Sequence, residues 1–157
     1  DDPDAHISWD GVNFSITVGF EDAPVSEVTW YGAHHFAKHY SLELPTEYEW
    51  EKASRGQSDA RFPWGDEAIS CLLANVSGCG AELIPVGQSS GMSPYGVHDM
   101  LGNVWEWTSS LVSPDSKDRV LRGGACRTPA GSVSVYMRSF NDAWHSSYFF
   151  GFRCARK

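Results

Sequence analysis

Tyr95–Trp107 reads YGVHDMLGNVWEW, and the reading of this stretch decides the fold. Glycine, aspartate and asparagine break its apolar residues into short runs. The same texture extends from Gly56 to the C terminus, where PWGDE, GCG, GQSSGMSPYG and SPDSKD interrupt every apolar run. Such punctuation predicts short strands joined by long ordered loops. Fifteen glycines and seven tryptophans point to loops pinned by large aromatic anchors. Trp9, Trp30, Trp50, Trp64, Trp105 and Trp107 are read as core anchors rather than sugar-stacking platforms. No internal repeat, coiled coil or low-complexity tract is visible.

Upstream of this region the pattern is helical. One helix begins near Thr29 and carries Trp30, Ala33, Phe36, Ala37 and Tyr40 at helical spacing. A second follows Pro45, with Thr46 and Glu49 as a capping box, Trp50 and Ala53 on its apolar side, and Gly56 as its stop. The expected class is therefore α+β, with two helices and small antiparallel sheets, in one domain over residues 1–157.

Composition excludes several functions. The net charge is −8, which argues against a nucleic-acid-binding footprint. No run approaches the roughly 20 apolar residues of a membrane span. The acidic opening, DDPDAHISWDG, is unlike a signal peptide, so an exported protein would carry its signal outside this sequence. Charge is lopsided: residues 1–118 carry −14 and residues 119–157 carry +6. The late arginines are expected to pair with the early carboxylates. Of the four cysteines, Cys71 and Cys79 flank a Gly/Ser/Asn-rich loop suited to a small disulfide, which would imply an oxidising compartment. Cys126 and Cys154 could pair, or one could be a free core thiol.

Several phrases, in chain order, carry a resemblance: PVSEVTWYGA (24–33), LPTEYEWEKASRG (44–56), FPWGDE (62–67), AN (74–75), PVG (85–87), SPYGVHDMLGNVWEWT (93–108), RVLRGG (119–124) and GFRCAR (151–156). From Asp22 onward the chain resembles the formylglycine-generating-enzyme family, also called the sulfatase-modifying-factor family. The resemblance implies a variant of the C-type lectin fold. It also implies a structural Ca²⁺ held by Asp99, Gly102, Val104 and Glu106, a mixture of carboxylate and carbonyl oxygens that suits this ion. A second family calcium site would use Asn75 and Val76, but no aspartate follows before Pro85. The family's oxidase uses a pair of cysteines after the glycine motif to hold copper. Here those positions are Thr128 and Val133, and Cys126 falls two residues early. Soft Cu(I) needs both sulfurs. No catalytic residue is assigned, and the expectation is that the chain is not an enzyme.

Other motifs are set aside. Gly87–Gly91 matches G-x-S-x-G, but MSPYG follows and cannot open the helix that a nucleophile elbow requires. His35 and His39 are spaced to share a metal and lack an evident third ligand. The unusual segment is 125–150, ACRTPAGSVSVYMRSFNDAWHSSYFF, which has no Lys, Gln or Glu although residues 1–124 hold 14 of them. Aromatics mixed with Ser and Asn resemble a paratope. A branch of the family resembles the variable proteins of diversity-generating retroelements, in which AAY codons are rewritten at adenines. The NNY codons that result cannot encode Lys, Gln, Glu, Met or Trp, so Met137 and Trp144 would be unvaried. The expected ligand surface is Arg127, Thr128, Ser132, Ser134, Tyr136, Ser139, Phe140, Asn141, Asp142, His145, Ser147, Tyr148 and Phe149. The expected function is a non-catalytic ligand-binding domain, presented outside the cell or on a virus particle, whose partner is a protein or another macromolecule. The alternative is a formylglycine-generating or sulfoxide-synthase-type oxidase, or an accessory domain of one.

Overall fold

The computed structural model describes residues 5–80 and 82–156; the acidic opening Asp1–Asp4 lies outside them. Two strands, β1 (Ile7–Trp9) and β2 (Phe14–Ile16), form an antiparallel hairpin, followed by helices α1 (Trp30–His39) and α2 (Glu47–Arg55). Four further strands, β3 (Trp105–Leu111), β4 (Asp118–Arg122), β5 (Arg138–Asp142) and β6 (Phe150–Phe152), form a sheet of order β5-β4-β3-β6. Architecture is thus α+β, with a hairpin ahead of the two helices and a four-stranded sheet after them. The β3–β4 and β4–β5 ladders are antiparallel, whereas β6 runs parallel to β3.

Both helices start where local chemistry directs. Thr29 caps α1 by accepting from the Gly32 N–H at 3.1 Å. Thr46 and Glu49 form the reciprocal capping box of α2, and Gly56 ends it at φ 64°, a backbone region where a β-carbon is costly. Each helix seats a tryptophan in its own core. Trp30, Ala33 and Ala37 of α1 pack with Leu44, Trp107, Leu121 and Ala143 against the sheet. Trp50 of α2 packs with Phe62, Ala74, Val76, Met100, Leu101 and Val133 under the loops. The buried indole N–H groups find acceptors, as they must to leave water: Trp30 Nε1 donates to the Thr108 carbonyl at 2.8 Å and Trp107 Nε1 to the Val28 carbonyl at 2.9 Å.

Trp9 is a correction to the expected anchors. It is 47% exposed, leaning on Phe14 across the hairpin at 4.5 Å, because a two-stranded ribbon has no second layer to bury it. The Cys71–Cys79 disulfide is present, while Cys126 and Cys154 are both free. Gly87–Gly91 remains a loop with Ser89 buried. No described helix is long and apolar enough to cross a membrane.

Candidate functional site

The stretch 95–107 turns sharply before entering β3. Asp99 and Asn103 have φ of 55° and 61°, and Gly102 has φ 81°. A β-carbon on Gly102 would sit 2.2 Å from the Asn75 carbonyl oxygen, so only glycine fits that crossing. Asn103 ties three segments together. Its side chain accepts from the Ile84 N–H and from Asn75 Nδ2 and donates to the Ile84 carbonyl, and its backbone N–H donates to the Asn75 carbonyl.

This turn lines a cavity of about 300 Å³, and all four expected calcium ligands, Asp99, Gly102, Val104 and Glu106, are among its lining residues. Arg153 lines it as well. Its Nε and Nη2 donate to the two oxygens of Glu106, each at 2.6 Å, and Trp50 Nε1 donates to the same carboxylate at 2.6 Å. Nη2 also donates to the carbonyls of His98 and Asp99 at 3.2 Å. Burial works to lower the Arg153 pKa, but the Glu106 and Asp99 carboxylates outweigh it and hold it above the ordinary arginine value.

The residues fit a hard cation. Asp99 Oδ1 is buried with no hydrogen-bond donor, and two carboxylates face one guanidinium, leaving a negative charge uncompensated. The second, Asn75/Val76 position is poorer in donors. Asn75 Oδ1 is also a buried acceptor without a donor, but the Val76 carbonyl accepts the Cys79 N–H and no carboxylate lines the adjoining cavity. His35 and His39 are exposed on α1. Among the described residues no group of three or more His, Cys, Asp or Glu side chains is placed to hold a metal.

Arg153 was not singled out in the sequence as a site residue. Its signal was the charge imbalance, and the expected pairing holds for four of the six late arginines. Arg122 pairs with Glu51 at 3.0 Å, Arg138 with Glu47 at 2.7 Å, Arg127 with Glu82 and Arg153 with Glu106.

Of the thirteen expected ligand residues, Arg127, Ser132, Tyr136, Phe140, Asp142 and His145 are exposed, and Ser134, Ser139, Asn141, Ser147, Tyr148 and Phe149 are half-buried. Thr128 is a correction: it is buried, and its hydroxyl accepts the Ala125 N–H at 2.8 Å, closing the turn after the glycines. The other twelve do not form a single patch. Before β6, Arg127 lies over the Phe149 ring at 5.6 Å, Phe149 meets Tyr148 edge-on, and Tyr148 meets His6 edge-on. Burial, and then neighbouring Glu82, pushes the Tyr148 hydroxyl up to about 12. Ser139–Asp142 belong to β5, the opposite edge of the sheet, roughly 14 Å away at three strand spacings. Tyr136 leaves toward α2, donating to the Asp59 carbonyl with Arg55 over its ring. Buried Cys126 has its thiol pKa raised by burial.

Comparison with known proteins places this geometry. Hercynine oxygenase of Mycolicibacterium smegmatis is 37% identical over 160 residues, covering 85% of this chain and 37% of the oxygenase. The inactive C-alpha-formylglycine-generating enzyme 2 of Mus musculus is 35% identical, covering 85% of this chain and 49% of that protein. The chain thus spans less than half the length of either relative. Among solved structures, Treponema denticola variable protein 1 superposes with a TM-score of 0.70 at 22% identity, over 90% of this chain and 74% of its own, a likeness of fold. The expectation that the chain is not an enzyme is overturned here, because relatives at 36–37% identity are named as an enzyme. Thr128 and Val133 stand where the family's cysteine pair is expected, and that says nothing about other reactions on the same scaffold. Residues 3–157 match the sulfatase-modifying factor enzyme 1-like domain, and the chain belongs to that family.

Proposed function

We propose that the chain is a ligand-recognition domain on a C-type lectin scaffold, with a contact surface drawn from residues 125–150. The observation that carries this reading is the segregation within that segment. Ala125, Cys126, Val133, Val135 and Ala143 are buried and fix its path, while Arg127, Ser132, Tyr136, Phe140, Asp142 and His145 face outward. A segment whose core contacts are carried by a few small apolar residues can change its outward ones at little cost to stability. The fold shared with a variable protein supports the same reading. The partner is a protein or another macromolecule that meets two edges of the sheet, and the Cys71–Cys79 disulfide supports an extracellular, cell-surface or virus-particle setting. A structural Ca²⁺ would be held by the Asp99 and Glu106 carboxylates and the Gly102 and Val104 carbonyls, fixing the turn that the segment packs upon. Sequencing this gene from sister isolates tests the reading. Differences concentrated at 125–149, in adenine-derived codons, are expected; differences spread evenly along the chain would overturn it.

A second reading rests on the 37% identity to hercynine oxygenase. In it the same surface holds the substrate of a larger oxygenase. Hercynine-dependent oxygen uptake by the full-length protein, lost when Tyr148 and Phe149 are changed to alanine, is its expected signature. Uptake at the background rate would remove it.

A further inference from the structure

Where β5 ends, a second cavity of about 240 Å³ opens between the start of α1 and the loop joining β3 to β4. Tyr31, Ser116, Lys117, Arg119, Asp142 and Trp144 line it. Apart from Asp142, none of these residues has a role in the sites described above.

Two features of the pocket are out of keeping with a passive surface. The first is Trp144, a large ring left 72% exposed yet held in place. One face of it leans on Tyr31, with centroids 4.2 Å apart, and its backbone N–H donates to Asp142 Oδ1 at 2.8 Å. Tyr31 thus backs one face, and the exposure leaves the rest of the ring to solvent. A fixed aromatic surface offers contact area at low entropy cost.

The second is Arg119. Its guanidinium lies over the Trp30 ring at 3.7 Å and Nη1 donates to the Ser109 carbonyl at 2.7 Å. Nε is buried without an acceptor. Unlike Arg122, Arg127, Arg138 and Arg153, it forms no ion pair among the described residues. Arg119 therefore lines the pocket with its charge unmatched by an ion pair, and an anionic ligand would match it. Lys117 adds a second cation, so two positive charges face one carboxylate in a chain of net charge −8.

We propose that this pocket binds one sugar ring bearing a carboxylate, a hexuronate. The ring stacks on Trp144, the carboxylate meets Arg119 and Lys117, and ring hydroxyls meet Ser116 and Asp142. Size supports a single ring, since the cavity lies below the roughly 300–1,000 Å³ of sites for larger ligands. Charge supports the acid group, and the hydroxyl and carboxylate of Ser116 and Asp142 favour a polar ring over an aryl one. The inference does not rest on the recognition reading, which shares only Asp142 with it.

The test is titration of the whole chain with D-glucuronate, followed by amide and indole NMR shifts, with D-glucose and benzoate as comparison probes. Glucuronate should saturate in the range of about 1 mM, shifting the Trp144 indole N–H, and glucose should bind at least about tenfold more weakly. Trp144→Ala, at an exposed position, and Lys117→Met should each weaken glucuronate about tenfold. Arg119→Lys keeps the charge, loses the fork and should weaken it too, with circular dichroism confirming a native fold. Tyr148→Ala should leave glucuronate binding unchanged whatever the outcome for the C-terminal recognition surface. The proposal is overturned if glucuronate does not saturate, if glucose binds equally well, if benzoate alone binds, or if Trp144→Ala changes nothing.

Discussion

Removing the Arg153 side chain's charge, as Arg153→Met, should be among the most damaging single changes available near the surface of this fold. Glu106 is only 6% exposed, and its carboxylate receives three donors, two from Arg153 and one from Trp50, all at 2.6 Å. The variant leaves that carboxylate buried with one donor. Breaking a buried ion pair from one side costs about 3–5 kcal/mol, because the surviving charge keeps its desolvation penalty and loses its partner. For a chain of this length each kcal/mol moves Tm by roughly 2–4 °C, so the expected fall is about 6–20 °C. The double variant Glu106→Gln/Arg153→Met removes both members of the Glu106–Arg153 pair, and its carboxamide still accepts from Trp50. It should recover much of the loss and be more stable than Arg153→Met alone. Urea and thermal unfolding in chelator, on wild type, both single variants and the double, give the coupling energy directly. If Arg153→Met lies within about 1 kcal/mol of wild type, or the double variant is no better than that single one, the pair is solvent-screened and the reasoning fails.

Chelation should lower Tm in calcium-loaded protein by roughly 5–10 °C when calcium was present at about a hundredfold excess over Kd, a contribution near 2.7 kcal/mol. Asp99→Ala should abolish that difference, and a melting temperature indifferent to chelator in the wild type would remove the calcium proposal. Spectrophotometric titration should find Tyr148 ionising near 12. Because the folded value is raised, its contribution to stability is full below the ordinary tyrosine value near 10 and disappears as pH rises towards 12. Tyr148→Phe should erase that alkaline limb, and an unchanged limb would refute the assignment. Reduction of Cys71–Cys79, or its replacement by two serines, should cost about 2–3 kcal/mol from the closed loop alone. Denatured, unreduced protein should present two reactive thiols, Cys126 and Cys154; four would refute the bridge.

What could be read in the sequence was what local chemistry decides. Thr29, and Thr46 with Glu49, mark both helix starts because a cap and its N–H partners lie within three residues of each other. Cys71 and Cys79 were legible because an eight-residue separation leaves few other partners. Asp99, Gly102, Val104 and Glu106 line one cavity because eight consecutive residues carry them through the turn at Gly102 into the start of β3. The partner of Glu106 lies 47 residues away, and nothing between the two positions encodes their meeting. Charge imbalance predicted that the late arginines would find early carboxylates, which is a statement about totals. Which arginine meets which carboxylate follows from the sheet order and the parallel seating of β6, and neither has a local signature.

The thirteen residues chosen for the recognition surface show the same limit from the other side. Composition identifies a segment, but strand order decides which of its residues share a face. Ser139–Asp142 and Ser147–Phe149 are close in sequence and stand at opposite edges of the sheet, because β4 and β3 lie between β5 and β6. A single ligand touching both edges would have to span the width of the sheet, whereas a small one must choose an edge. The β6 edge, with Arg127, Tyr148 and Phe149 packed on one another, is preorganised for a flat macromolecular contact. The β5 edge, with Trp144 propped beside an unpaired Arg119, is concave and suited to a small acidic ring. The codon argument excludes tryptophan from its varied positions and so carries no signal for Trp144; the place of this residue in the β5 pocket follows from its exposure and from Tyr31 behind it.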